Sequence, residues 1–201
     1  MKESTKKANC QMPRTSDINK QIKDERKQSI LSAALPLFAL YGNKVSVDMI
    51  CEKAKCSHGL LYHYFKDSDN VLFNIKKSQS FVDLKNKLLQ TTDNGSPLDE
   101  IYQILQHVNS SISKAKNSDF ALLYLILNDE EKIGFKTTLI NLIKIGQKLN
   151  QIAAGKAEDL ARIYIEQNNG VLLKKLLQKS YKIETVPVDN LMQIFIKKTV
   201  R

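Results

Sequence analysis

The sequence predicts an all-α fold: an N-terminal three-helix unit with a helix-turn-helix, joined by a long helix to a larger C-terminal helical unit. Three observations predict it. From Asp24 onward apolar residues recur at three- and four-residue spacing, the period of one helical face. No segment of useful length alternates with period two, so no sheet is expected. The 201 residues include only 7 Gly and 4 Pro, too few turn formers for a chain of many short strands.

The elements follow in order. Residues 1–22 lack apolar periodicity and carry Lys2, Lys6, Lys7, Arg14 and Lys20, which predicts a mobile basic arm. Ile30, Leu31, Ala34, Leu35 and Phe38 then line one helical face. Gly42 is placed to end that helix in the left-handed conformation, and Pro36 is expected to bend it. Ser46 caps a second helix whose face is Val47, Ile50 and Ala54, with Asp48 near its positive end. Lys55-Cys56-Ser57 reads as a tight turn, and Ser57 caps a third helix through Leu60, Leu61 and Phe65. Ser68 is expected to cap a fourth, long helix running unbroken from Val71 to Leu89. Thr92 to Pro97 is the clearest break, with Ser96 as cap and Pro97 at the first helical position. Helices are then expected over roughly 97–114, 118–130, 133–153 and 157–179, and a last one over 187–200. The units so defined are an arm over 1–22, a three-helix unit over 23–75 and a helical unit over 76–201.

Composition narrows the function. Lys and Arg number 31 against 21 Asp and Glu, a formal net charge of +10, and the first 80 residues are the more basic per residue. Such a balance favours polyanionic partners, nucleic acid first. The 3 Cys are an odd count, which argues against a disulfide framework and for a reducing, cytoplasmic setting. The longest apolar run is the eight residues from Phe120 to Leu127, against the ~20 of a spanning helix, so no membrane partner is expected. Gly155-Lys156-Ala157 lacks the Ser or Thr and the preceding strand of a phosphate loop. There is no H-E-x-x-H zinc motif. Catalysis and a cofactor are therefore not expected. Cys51, Cys56, His58 and His63 stand close in sequence, but zinc fingers space their ligand pairs by about a dozen residues, and no metal site is expected.

Three short helices with a tight turn between the second and third suggest a helix-turn-helix, in which the third helix enters the major groove of DNA and the second braces it. Ile50, Ala54 and Leu61 are small or apolar where the two helices must cross. Arg26, Ile30-Leu31, Ala34, Phe38, Tyr41-Gly42, Ser46-Val47, Ile50, Ala54, Ser57, Gly59, Leu61-Tyr62 and Tyr64-Phe65-Lys66 occur at spacings that resemble the TetR family of bacterial transcriptional regulators. The resemblance covers about residues 24–73, and Gly59-x-Leu61-Tyr62-x-x-Phe65 is its most specific stretch. It implies a regulator, a repressor released by a small molecule, that binds operator DNA as a homodimer. It assigns DNA contact to Ser46, Ser57, His58, Gly59, Leu60, Tyr62, His63, Tyr64 and Lys66, with phosphate roles for Ser46, Tyr62 and Lys66. Leu60, Asp67 and Ser68 depart from the family pattern. They sustain an alternative reading, a helical protein–protein adaptor that keeps the fold without operator binding.

The remaining expectations concern the second unit. The effector pocket is expected between helices within 97–170, lined by Tyr102, His107, Tyr124 and Phe135. The dimer is expected to form through the two last helices, as a four-helix bundle with the symmetry mate. Its face would be Leu160, Ile163, Tyr164, Val171 and Leu172 on the first, and Leu191, Met192, Phe195 and Ile196 on the second.

Overall fold

A computed structural model describes residues 16–91 and 95–196. In chain order the helices are α1 (Ser16–Tyr41), α2 (Val47–Ala54), α3 (His58–Tyr64), α4 (Ser68–Lys76), α5 (Gln79–Leu89), α6 (Pro97–Lys114), α7 (Asp119–Leu127), α8 (Phe135–Lys148), α9 (Ala157–Leu177) and α10 (Val188–Met192). Among the described residues there is no strand, only an isolated antiparallel bridge between Ile152 and Ile196.

Most boundaries follow local hydrogen bonding. Gly42 leaves α1 at φ +55°, the left-handed conformation that only glycine adopts without cost. The Ser46 and Ser57 hydroxyls accept from Met49 N–H and Leu60 N–H, both at 3.2 Å, starting α2 and α3. Ser96 and Asp99 form a reciprocal capping box ahead of α6, with Pro97 at its first position.

Four expectations are corrected. First, residues 16–22 are not part of an arm but the first turns of α1; residues 1–15 lie outside the described residues. Helix α1 includes Pro36 within its 26 residues. Second, the cap of α4 is Asp67, not Ser68: its carboxylate accepts from Asn70 N–H at 2.7 Å. Third, the long helix expected from Val71 to Leu89 is instead two. Ser78 donates its hydroxyl to the Ile75 carbonyl at 2.7 Å and accepts from Phe81 N–H, so one side chain finishes α4 and caps α5. Fourth, the terminal helix is five residues long. After Met192 the chain turns, Phe195 is buried, and the Phe195 carbonyl accepts from Ala153 N–H at 2.8 Å, tying the segment to the α8–α9 connection.

One apolar cluster runs through the whole molecule. Ile30, Phe38, Ile50, Leu61, Phe65 and Val71 close the N-terminal end. Ile101, Ile112, Phe120, Ile126, Phe135, Ile143 and Tyr164 fill the C-terminal end. Helix α1 belongs to both: it packs on α2 and α4 and also on α7 and α9. The placement of α2 and α3 is therefore coupled to the larger helical unit by shared core, not only by chain connection.

Candidate nucleic-acid interface

The crossing of α2 and α3 is built as the sequence implies. Ile50 and Leu61 are fully buried, Ala54 is half-buried, and Phe65, immediately after α3, closes the contact against α1. Lys27 of α1 places its ammonium 5.8 Å from the centre of the Phe65 ring, a cation–π contact on the rim of the unit.

What this scaffold leaves outside is a polar, basic face. Ser46, Ser57, His58, Gly59, Tyr62, His63 and Lys66 are all exposed, and Tyr62 is 57% accessible despite its size. Leu60 and Tyr64 differ. Both are half-buried, and Tyr64 packs against the core and edge-on to His63, with ring centres 5.0 Å apart. Those two residues support the face more than they form it. The capping serines use their oxygen as acceptor within the helix, which leaves each O–H to donate outward. At Ser46 that donor sits at the positive end of α2, where phosphate binding is favoured.

Sequence reasoning missed a partner in this face. Asp48, expected only near the α2 dipole, reaches across to α3 and pairs with His58 Nε2 at 2.7 Å. The ten-residue separation gives no local signal; only the helix crossing brings them together. The pair orients the imidazole across the exposed side of the two helices, and both members are well exposed. Of the two cysteines that stand near these histidines in sequence, Cys51 is buried and Cys56 is half-buried, and both are free thiols. Among the described residues no group of three or more His, Cys, Asp or Glu could hold a metal ion.

The four residues expected around an effector lie on α6, α7 and α8. Phe135 is fully buried core at the start of α8. Tyr102 donates its hydroxyl to Asp189 at 3.3 Å, on the α10 side of α6. His107 and Tyr124 are half-buried. A cleft of about 410 Å³ opens between α5, α6 and α7. Leu84, Leu122 and Leu123 form its apolar wall, and Ser80, Asp83, Lys87, Ser111 and Lys114 its polar one. Ser111 brings a buried hydroxyl there that has no hydrogen-bond partner. None of the four expected residues lines it.

The expected dimer face is also divided. Tyr164, Leu172, Leu191, Met192 and Phe195 are buried within a single chain, because α9 lies against α7 and α8 and α10 lies against α6. They cannot face a symmetry mate. Leu160 and Val171 are half-buried, while Ile163 is 48% and Ile196 39% exposed. On α8 and just beyond it, Ile145 and Leu149 are exposed as well. No helix among the described residues is long and apolar enough to cross a membrane.

Comparison with known proteins fits this geometry. The sequence model of bacterial regulatory proteins of the tetR family matches residues 30–74, which span the end of α1 through α4. The HTH-type transcriptional regulator HbdR of Aromatoleum sp. (strain CIB) is 43% identical over 51 residues, 25% of this chain and 22% of that protein. The match thus spans about a fifth of that relative's length. The fold extends further than the sequence match. HlyIIR, a hemolysin II transcriptional regulator, superposes with a TM-score of 0.57 at 17% identity, covering 88% of this chain and 99% of its own. SmeT, the repressor of the Stenotrophomonas maltophilia multidrug efflux pump SmeDEF, gives 0.51 at 20% identity, covering 85% and 90%.

Proposed function

We infer that this chain, which belongs to the TetR family of bacterial regulatory proteins through its helix-turn-helix and its all-helical fold, is a DNA-binding transcriptional regulator that represses by occupying an operator as a homodimer. The observation that carries the reading is the exposed face of Ser46, His58, Tyr62, His63 and Lys66 on two helices locked by Ile50 and Leu61, within the matched residues 30–74. Phosphate contacts from Ser46, Tyr62 and Lys66 would set the register of α3, and His58 and His63 would meet base edges. The chain's excess of Lys and Arg supports the same partner. No catalytic role is proposed for any residue.

Binding to duplex DNA should weaken steeply with salt. Tyr62→Ala should weaken all duplexes alike, by roughly two- to ten-fold for one lost phosphate hydrogen bond. Lys66→Ala should flatten the salt slope by about one, whereas His58→Ala should alter which sequence is preferred. Titrations of a selected and a scrambled duplex at several salt concentrations would read all three. Wild-type binding by every variant would overturn the assignment, and a chain that binds no duplex at low salt would favour the adaptor reading.

The dimer is proposed through the outer side of α8 and α9, with Leu160, Ile163 and Val171 joined by Ile145 and Leu149. These apolar side chains stay accessible when one chain has closed its own core. Ile163→Glu together with Ile145→Glu should give a monomer by sedimentation while leaving the helical content intact. A wild-type chain that is already monomeric at micromolar concentration would defeat this and the two-half-site mechanism with it. An effector is proposed to enter the α5–α6–α7 cleft. Its mixed lining suits a small amphipathic molecule, which would act by favouring one arrangement of the dimer over another.

A further inference from the structure

The end of α2 and the turn that joins it to α3 carry one cysteine each, Cys51 and Cys56, and the way the turn is made relates them. Helix α2 ends with the Cys56 N–H donating back to the Cys51 carbonyl at 3.0 Å and the Lys55 N–H donating to the Glu52 carbonyl at 3.3 Å. Lys55 between them is left-handed, at φ +52°. This pair of bonds around one left-handed residue is the Schellman termination, whose geometry brings together the side chains of the residues at its two outer positions. Those positions usually make an apolar contact. Here they are Cys51 and Cys56, both free thiols. Cys51 is buried on the inner side of α2, whereas Cys56 is half-buried and reachable from the surface of the turn.

We propose that Cys51 and Cys56 are a disulfide-forming pair, a modification site in the helix-turn-helix that is oxidised by hydroperoxides and lowers DNA binding when closed. The chemistry needs no group beyond the two thiols and the oxidant. Cys56, as the thiolate, attacks a peroxide oxygen; the O–O bond breaks, Cys56 becomes the sulfenic acid, and the alkoxide takes the thiol proton to leave as alcohol or, from hydrogen peroxide, as water. The Cys51 sulfur then attacks the Cys56 sulfur, the S–O bond breaks, and hydroxide leaves with the Cys51 proton as water. The two sulfurs lose two electrons and the peroxide gains two. Burial first, and then the neighbouring Cys56, push the Cys51 thiol up to about 11, which leaves the first attack to the more accessible Cys56.

Closing the bond draws the sulfurs to ~2.05 Å. Cys51 is fixed in the packing of α2, so the displacement falls on Cys56 and on Ser57 next to it, the residue whose hydroxyl caps α3. The start of α3, with His58 and its pairing to Asp48, moves with it. The effect on DNA rests on the DNA-binding reading above; formation of the disulfide does not.

The test uses the full chain with Cys10→Ser, which leaves only the two thiols of interest. After hydrogen peroxide treatment, trypsin should yield residues 45–53 linked to residues 56–66, because cleavage at Lys53 and Lys55 separates the two cysteines. The affinity of the oxidised protein for its selected duplex should fall about ten-fold or more, the equivalent of one good side-chain contact, and return on reduction with dithiothreitol. A further Cys56→Ser change should bind with or without oxidant. Thiols that remain unlinked after peroxide would overturn the proposal, as would a linked protein that binds DNA undiminished. If the reduced protein binds no duplex, the DNA-binding reading fails, while the linked peptides still decide whether the thiol pair exists.

Discussion

Replacing Asp129 by alanine is expected to cost roughly 2–3 kcal/mol of stability, below the ~3–5 kcal/mol of a fully buried pair because its partner keeps some access to water. The Asp129 side chain is completely buried just after α7. It accepts from Lys76 Nζ at 2.8 Å, at the last residue of α4, and Lys85 Nζ of α5 stands 3.9 Å from its second oxygen. Lys76 also reaches Glu131 at 3.1 Å. Without Asp129 the Lys85 ammonium on α5 loses its carboxylate and the Lys76 ammonium on α4 keeps only the more exposed Glu131, beside a newly opened cavity. Burial pulls the Lys76 ammonium downward, but its hydrogen bonds to Asp129 and Glu131 outweigh this and hold its pKa above the ordinary lysine value. The sign follows: a raised pKa stabilises fully below the unfolded value of ~10.4 and the benefit fades as pH rises through the folded one. Urea unfolding should therefore show the full difference between wild type and Asp129→Ala at neutral pH and a smaller one in the alkaline range. A neutral-pH difference within about 0.5 kcal/mol, the scale of an ordinary surface substitution, would refute the account. Helix α4 follows α3 directly, so this pair also fixes the far end of the element connecting the proposed DNA-binding face to the larger unit.

Gly134→Ala should cost about 3 kcal/mol or more for a different reason at the same corner. A Cβ there would stand 2.3 Å from the Asp129 carbonyl oxygen, 2.8 Å from its carbon and 3.0 Å from the Glu131 nitrogen. All three atoms are backbone, so none can swing aside, and relief would require moving the α7–α8 connection that holds Asp129 in place. Gly170→Ala serves as the control. It lies within α9 with nothing within 4 Å of its Cβ position, and alanine should there stabilise by up to ~1 kcal/mol through helix propensity alone. Thermal and urea unfolding of the two variants side by side would read opposite signs. Equal effects would show that the tight turn is not what restricts position 134.

What the sequence by itself determined is the part written in short-range hydrogen bonds. Ser46, Ser57, Ser96 and Gly42 each act within three or four residues of where they stand, and the helices they bound are where they were expected. The same holds for the crossing of α2 and α3, where Ile50, Leu61 and Phe65 follow the helical period and are buried. Ser78 was legible in principle, since a serine that both caps one helix and satisfies the last carbonyls of another is a local signal. It was masked by an apolar period that continues across the break. Tertiary structure alone decided the rest. Helix α9 carries apolar residues around most of its circumference, so its sequence cannot rank Tyr164 against Ile163 as core; the positions of α7 and α8 do. The helical spacing puts Phe195 on a dimer-facing helix, yet in the fold it is buried in its own chain's core, where its carbonyl accepts from Ala153 N–H. Asp129 and Lys76 are 53 residues apart, and His58 meets Asp48 only because two helices cross. Burial and pairing over such distances depend on which surfaces the folded chain brings together, and no local pattern encodes that.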